Sequence, residues 1–171
     1  MKLPVLAAAF LLSASTVSAQ VVTDPQIASI VVTANQVDID AGTLAQKRTS
    51  NKEVKAFAEM MVRDHGGVNK AAVELVTRLK VKPEDNPTSQ SLKAGGGKNI
   101  ANLKKLKGAA FDKAYIDYEV VYHTQVLDAL DKTLVPGATN EELKALLVKT
   151  RPAFAAHLEH AKHLQSSRVK K

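Results

Sequence analysis

The groups in this chain best suited to chemistry are one carboxylate and three imidazoles. Asp38, His65, His123 and His157 each interrupt an otherwise apolar helical stripe, one on each of four long periodic segments. The midpoints of those segments fall near residues 36, 65, 122 and 154. Each polar residue therefore lies within about three positions of a midpoint, or about 5 Å at 1.5 Å rise per residue. Helices packed side by side share a level at their midpoints, so the four groups are expected to converge in the core. An unpartnered polar group there costs a few kcal/mol. Two arrangements avoid that cost. In one, Asp38 accepts hydrogen bonds from imidazole N–H groups in a closed, metal-free network. In the other, three nitrogens and one oxygen hold a transition metal ion, for which zinc, iron and copper are the candidates.

Asp64 and Glu119 stand at the margins of the same stripes, as further ligands or as groups that orient the ligands. Asp112 and Tyr115 are candidates to join by hydrogen bonding. No Glu stands three residues before His65, His123 or His157, so the paired Glu-x-x-His signature of di-iron bundles is absent. His160 and His163 face away from the inner stripe and are expected at the surface. Met60 and Met61 read as core filler. The sequence carries no nucleophile motif or dinucleotide fingerprint, and the Gly95–Gly97 run lacks the Lys-Ser/Thr of a phosphate loop. No catalytic residue and no organic cofactor are assigned.

The elements that must position these residues are helical, since Val, Ile, Leu and Ala recur at three- and four-residue spacing. A first helix is expected over 25–46, with Asp24 as its cap and Pro25 at its first position. A second is expected from the capping box Ser50-Asn51-Lys52-Glu53 to about Lys80. A third is expected over 109–135, before Pro136-Gly137. A fourth is expected from the box Thr139-Asn140-Glu141-Glu142 to about Ser167, with a kink at Pro152. Residues 81–107 hold Pro83, Pro87 and the glycine run, and read as a long connection with two short helical pieces, near 89–93 and 99–106. Two hairpins joined by such a connection give an all-α fold: a ferritin-like four-helix bundle with one long crossover.

Met1-Lys2 followed by the apolar run Leu3–Leu12 and by Val17-Ser18-Ala19 reads as a secretory signal peptide over 1–19, leaving residues 20–171 as one domain. The run is shorter than the roughly 20 residues a membrane span needs, and no later segment is apolar enough for one. With no cysteine, export brings no disulfide stapling, and any metal must rest on imidazole and carboxylate. The net charge of +7 suits contact with an anionic envelope component, for which Lys93, Lys98, Lys104, Lys105 and Lys107 offer a basic surface. Nucleic acid is not the expected partner: there is no Trp and no stacking motif among the lysines.

The pattern resembles the domain of unknown function 4142 family over nearly the whole mature chain. The resemblance rests on Asp38-x-x-x-Gly42-x-Leu44-Ala45, on Ser50-Asn51 followed by Val54-Lys55-x-Phe57-Ala58, and on Met61-Val62-x-Asp64-His65. It continues through Phe111-Asp112-x-x-Tyr115, His123, and Pro152 followed by His157-Leu158-x-x-Ala161. It implies a four-helix protein of the periplasm or associated with the outer membrane, with no established reaction. Asp38 stands where Glu is usual, which shortens the reach toward a metal, and the triple-glycine connection is unusual.

The leading expectation is a periplasmic bundle with a binding or stress-protective role, in which Asp38, His65, His123 and His157 form either a metal-free polar network, the slightly favoured arrangement, or a metal site. A metal-dependent oxidase or hydrolase using the same cluster would need a cleft that reaches it. A structural or envelope-interaction protein would have a closed core and no metal.

Overall fold

The computed structural model describes residues 22–169, and the expected signal peptide lies outside them. Among the described residues the regular elements are all helical. They are α1 (Asp24–Arg48), α2 (Lys52–Arg78), α3 (Pro87–Lys105), α4 (Gly108–Ala129), a π-helical turn (Leu130–Leu134), α5 (Val135–Gly137) and α6 (Glu141–Val169). None of these helices is long and apolar enough to cross a membrane.

Local chemistry sets the helix starts. Thr23, one residue before the expected Asp24, caps α1: its hydroxyl accepts from Gln26 N–H, and the Gln26 side chain accepts from Thr23 N–H. Asp24 is thereby released for a longer-range task. Its carboxylate accepts from the backbone N–H groups of Thr139 and Asn140, both at 2.9 Å, and so ties the start of α1 to the start of α6. Asn51 caps α2 through Glu53 and Val54 N–H, and Asn140 caps α6 through Glu142 and Leu143 N–H. The α-helical ladder of α4 ends at Ala129, short of the expected Val135. It widens to i→i+5 pairing, with Val135 N–H donating to Leu130 C=O. The widening immediately precedes Pro136, which brings no N–H to the ladder. Helix α6 continues through Pro152 without a break.

The largest departure from the sequence expectation is residues 87–105. They form one continuous helix of 19 residues, Gly95–Gly97 included. Glycine costs a helix roughly 1 kcal/mol per residue, so packing must offset it. Helix α3 lies along α1, and at Gly96 the two approach so closely that a Cβ would stand 2.7 Å from Val37 Cγ2. Asn86 caps α3, and Pro87 fits its first position.

Directions follow from the bonds between elements. At one end, Glu84 N–H donates to Pro25 C=O at 3.0 Å and Asn86 Nδ2 to Gln26 C=O at 3.2 Å. At the other, Arg48 Nη2 donates to the carbonyls of Lys104 and Leu106 at 3.2 and 2.7 Å, and its guanidinium lies 5.8 Å from the Phe111 ring centre. Helix α3 therefore runs parallel to α1. It returns the chain to the Arg48 end, where Gly108, at φ +55°, turns it into α4. Helix α4 then runs parallel to α2, and α6 runs back antiparallel to both, with Arg78 paired to Glu142 at one end and the His160 ring against Phe57 toward the other.

Two apolar clusters fill the interior. One centres on Phe57, Met61, Phe111, Tyr115 and Ile116, the other on Ile27, Leu75, Leu130, Leu147 and Phe154. Each such side chain contributes about 1.5–3 kcal/mol on burial. Along every long helix except α3, a polar stretch separates the two clusters: Asn35–Asp38 on α1, His65 on α2, Glu119–His123 on α4 and His157 on α6.

Candidate metal centre

The centre is built outward from Asn35. On α1 its amide Nδ2 donates to Val31 C=O, one turn back, at 2.8 Å. That bond fixes the amide orientation and leaves Oδ1 facing α2. His65 Nδ1 lies 2.8 Å from that oxygen, so Nδ1 carries the proton and donates. The other nitrogen of His65, Nε2, is then a bare lone pair. His123 on α4 is oriented in the same manner. Its Nδ1 lies 3.1 Å from Glu119 C=O, an acceptor only, which again places the proton on Nδ1; Glu119 Oε2 is 3.4 Å away. The two Nε2 atoms face each other at 3.3 Å. Asp38 Oδ2 stands 3.4 Å from His65 Nε2. With Asp38 ionised, three acceptors thus meet with no donor between them.

Asp38, His65, Glu119, His123 and His157 are each at most 2 % exposed, so bulk water does not relieve the conflict. Neither oxygen of Asp38 or Glu119 is hydrogen-bonded, nor is His157 Nδ1. His157 Nε2 bonds to Asp64 Oδ2 at 3.0 Å, and Asp64 also accepts from Arg63 Nε at 2.9 Å near the surface. The Phe154 ring stacks on His65 with centroids 4.8 Å apart and planes 13° from parallel.

Electrostatics bear on where the protons sit. Burial, with the Glu119 carboxyl beside it, holds Asp38 well above the ordinary carboxyl range against the pull of His123. Burial pushes Glu119 up to about 7, although contacts with Asp38 and the Tyr115 hydroxyl oppose it. Burial, then His123 and His157, drive His65 well below the ordinary imidazole value. Burial also lowers His157, partly offset by its bond to Asp64. Burial alone would raise Asp64, but its bonds with His157 and Arg63 hold it low. Asp38 and Glu119 therefore hold a proton more tightly than ordinary carboxyls, while His65 and His157 hold one less tightly than ordinary imidazoles.

Two sets of groups are placed so that they could hold a metal ion: His65 with His123 and His157, and Asp38 with Glu119 and His123, the ligating atoms of each set lying within 4.8 Å of one another. His123 belongs to both. A tetrahedral ion with metal–nitrogen bonds of about 2.0–2.1 Å requires its ligands about 3.3 Å apart, which is the separation of the two Nε2 atoms.

The structure brings Asp38, His65, His123 and His157 to one level, with Glu119 inside the group and Asp64 at its outer edge. Tyr115 is fully buried, and burial followed by Glu119 and Asp38 raises its hydroxyl far above the ordinary value. Asp112 is buried two turns before Glu119, and no hydrogen bond among the described residues joins it to the cluster. His160 and His163 are exposed, Met61 fills the core, and the five lysines of 93–107 face solvent. Sequence reasoning missed Asn35. Its signal was its place one turn before Asp38 on a buried face. An apolar cavity of about 220 Å³ adjoins the cluster at Asn35, Asp38 and His65.

A family model described as Domain of unknown function (DUF4142) matches residues 11–164, most of the chain, and the chain belongs to that family. No curated protein and no solved structure matches it.

Proposed function

We propose that this DUF4142 protein is a ferritin-like four-helix bundle of the periplasm that binds one transition metal ion in a binding or stress-protective role. In this reading α1, α2, α4 and α6 form the bundle and α3 is its crossover. The parallel course of α2 and α4 supports that topology. His65 and His123 are the core ligands, Asp38 and His157 complete the set, and Glu119 and Asn35 orient it. The observation that carries the proposal is the pair of lone pairs at 3.3 Å with an unpartnered carboxylate oxygen 3.4 Å from one of them. A metal cation relieves that arrangement, as does a proton on the Asp38 carboxyl, whereas burial disfavours a proton on His65. The nitrogen and oxygen donors suit zinc, iron or copper.

The test is elemental analysis of protein isolated from the periplasm without a histidine tag. The expected content is about one equivalent, falling to a small fraction in His65→Ala and His123→Ala. Less than about a tenth of an equivalent in the wild type, with no uptake of added zinc, would leave the metal-free network as the better reading. In that network Asp38 or Glu119 supplies the missing proton, as their raised affinities permit. One observation favours a metal-dependent oxidase or hydrolase instead: the cavity reaches Asp38 and His65 directly.

A further inference from the structure

The cavity beside the cluster has features of a ligand site in its own right. Its wall is built from Ile30, Leu130, Leu134, Leu147 and Phe154, all buried. Leu130 and Leu134 belong to the π-helical turn, a feature that recurs at functional sites. An apolar cavity of about 150 Å³ stays dry and accepts benzene. The volume here, about 220 Å³, therefore suits one aromatic ring with a small substituent. Such a wall strips water from an ion of either sign without replacing it, which selects a neutral occupant. One end differs. Asp38 lines it, is 1 % exposed, and has neither oxygen hydrogen-bonded. Oδ2 lies 3.4 Å from His65 Nε2 and the Glu119 carboxyl stands beside Asp38, so at this end of the cavity the Asp38 carboxyl is the acceptor without a donor. Exposed Thr88 and Gln125, with half-buried Leu92, mark the mouth between α3 and α4.

We infer that this cavity binds a neutral single-ring molecule bearing a hydroxyl, its ring among Leu130, Leu147 and Phe154 and its hydroxyl donating to Asp38. The site does not depend on the metal. The cavity and the unpartnered oxygen belong to the protein alone, and the ligand enters from the α3–α4 side.

Phenol and benzene are the probes, titrated into chelator-treated mature protein and followed by amide NMR. Phenol should give saturable shifts centred on Val31, Leu130 and Leu147, with benzene binding in the same place more weakly. Filling the cavity by Ala129→Phe should weaken phenol by about tenfold or more. Ala34→Leu provides a second filling should the first disturb the fold. Asp38→Leu should abolish the preference for phenol over benzene. The inference is overturned if neither probe saturates, if the shifts lie on the surface, or if both fillings leave phenol binding unchanged in well-dispersed spectra. It is equally overturned if phenol keeps its advantage in Asp38→Leu. Metal analysis of the same preparation reads the metal proposal separately.

Discussion

His65 and His123 present their Nε2 atoms to each other across 3.3 Å, and each is held there by a bond on its far side. For His65 the far partner is the Asn35 amide oxygen, and for His123 it is the Glu119 carbonyl. Both rings are thus locked in the tautomer that leaves a lone pair inward. Two neutral histidines free to choose would share one N–H between them. Asn35 and the α4 backbone remove that choice.

The first prediction concerns Asn35. In Asn35→Leu the His65 ring is free to move its proton to Nε2 and donate to His123, closing the pair without an ion. Loss of such an outer partner typically lowers metal affinity about 10–100-fold. Cobalt(II) titration by absorbance should show that loss, with the helical content retained. An unchanged affinity would mean that the tautomers are not set by Asn35.

A pH series on chelator-treated protein tests the carboxyls. Glu119 is raised from 4.5 to about 7 by burial. A raised acid stabilises the fold fully below its unfolded value and loses that contribution as pH rises through its folded value. Wild type should therefore lose stability relative to Glu119→Gln between about pH 4.5 and about pH 7, by on the order of 3 kcal/mol. Asp38, raised by burial and by Glu119, acts with the same sign. His65 is lowered by burial, so its contribution is lost as pH falls below 6.5, and both proteins share it. Urea melts across the range give the difference. A flat difference would place Glu119 in a more solvated setting.

The glycines of α3 separate propensity from packing. A Cβ on Gly96 meets Val37 Cγ2 at 2.7 Å and Cγ1 at 3.0 Å, on a stiff β-branched side chain, whereas one on Gly95 or Gly97 meets nothing within 4 Å. Gly96→Ala should cost about 1–3 kcal/mol. Gly95→Ala and Gly97→Ala should each gain up to about 1 kcal/mol. Adding Val37→Ala to Gly96→Ala should restore part of the loss, and additive thermal shifts in that double variant would count against the contact.

The same three glycines show where the sequence was legible and where it was not. The four long helices follow from periodicity and from caps, because each buries one face and each start needs a side-chain acceptor. Their polar interruptions could be aligned by counting 1.5 Å per residue. Helix α3 could not be read that way. Its helicity depends on close contact with Val37, some 60 residues earlier, and a propensity count sees only the cost of glycine. The cap of α1 was displaced by one residue because Asp24 answers to Thr139 and Asn140, a tertiary demand invisible locally. Asn35 was overlooked because an amide on a helix face signals little until its partner across the interface is known. Glu119 read as marginal to its stripe, yet it is fully buried beside Asp38 and His123.

Helix α3 also sets a timescale. It buries only Ser89, Gly96 and Leu103, while α1 and α2 each bury many more side chains. Local opening should therefore start with α3, whose amides should exchange with solvent faster than those of α1 or α2. Thr88 and Leu92, on its first turns, border the cavity mouth. Each detachment of α3 widens that mouth, so the rate at which a ring-sized molecule enters or leaves is tied to the frequency with which one helix lets go. Bound phenol should slow exchange along α3 and leave the amides around Met61 untouched.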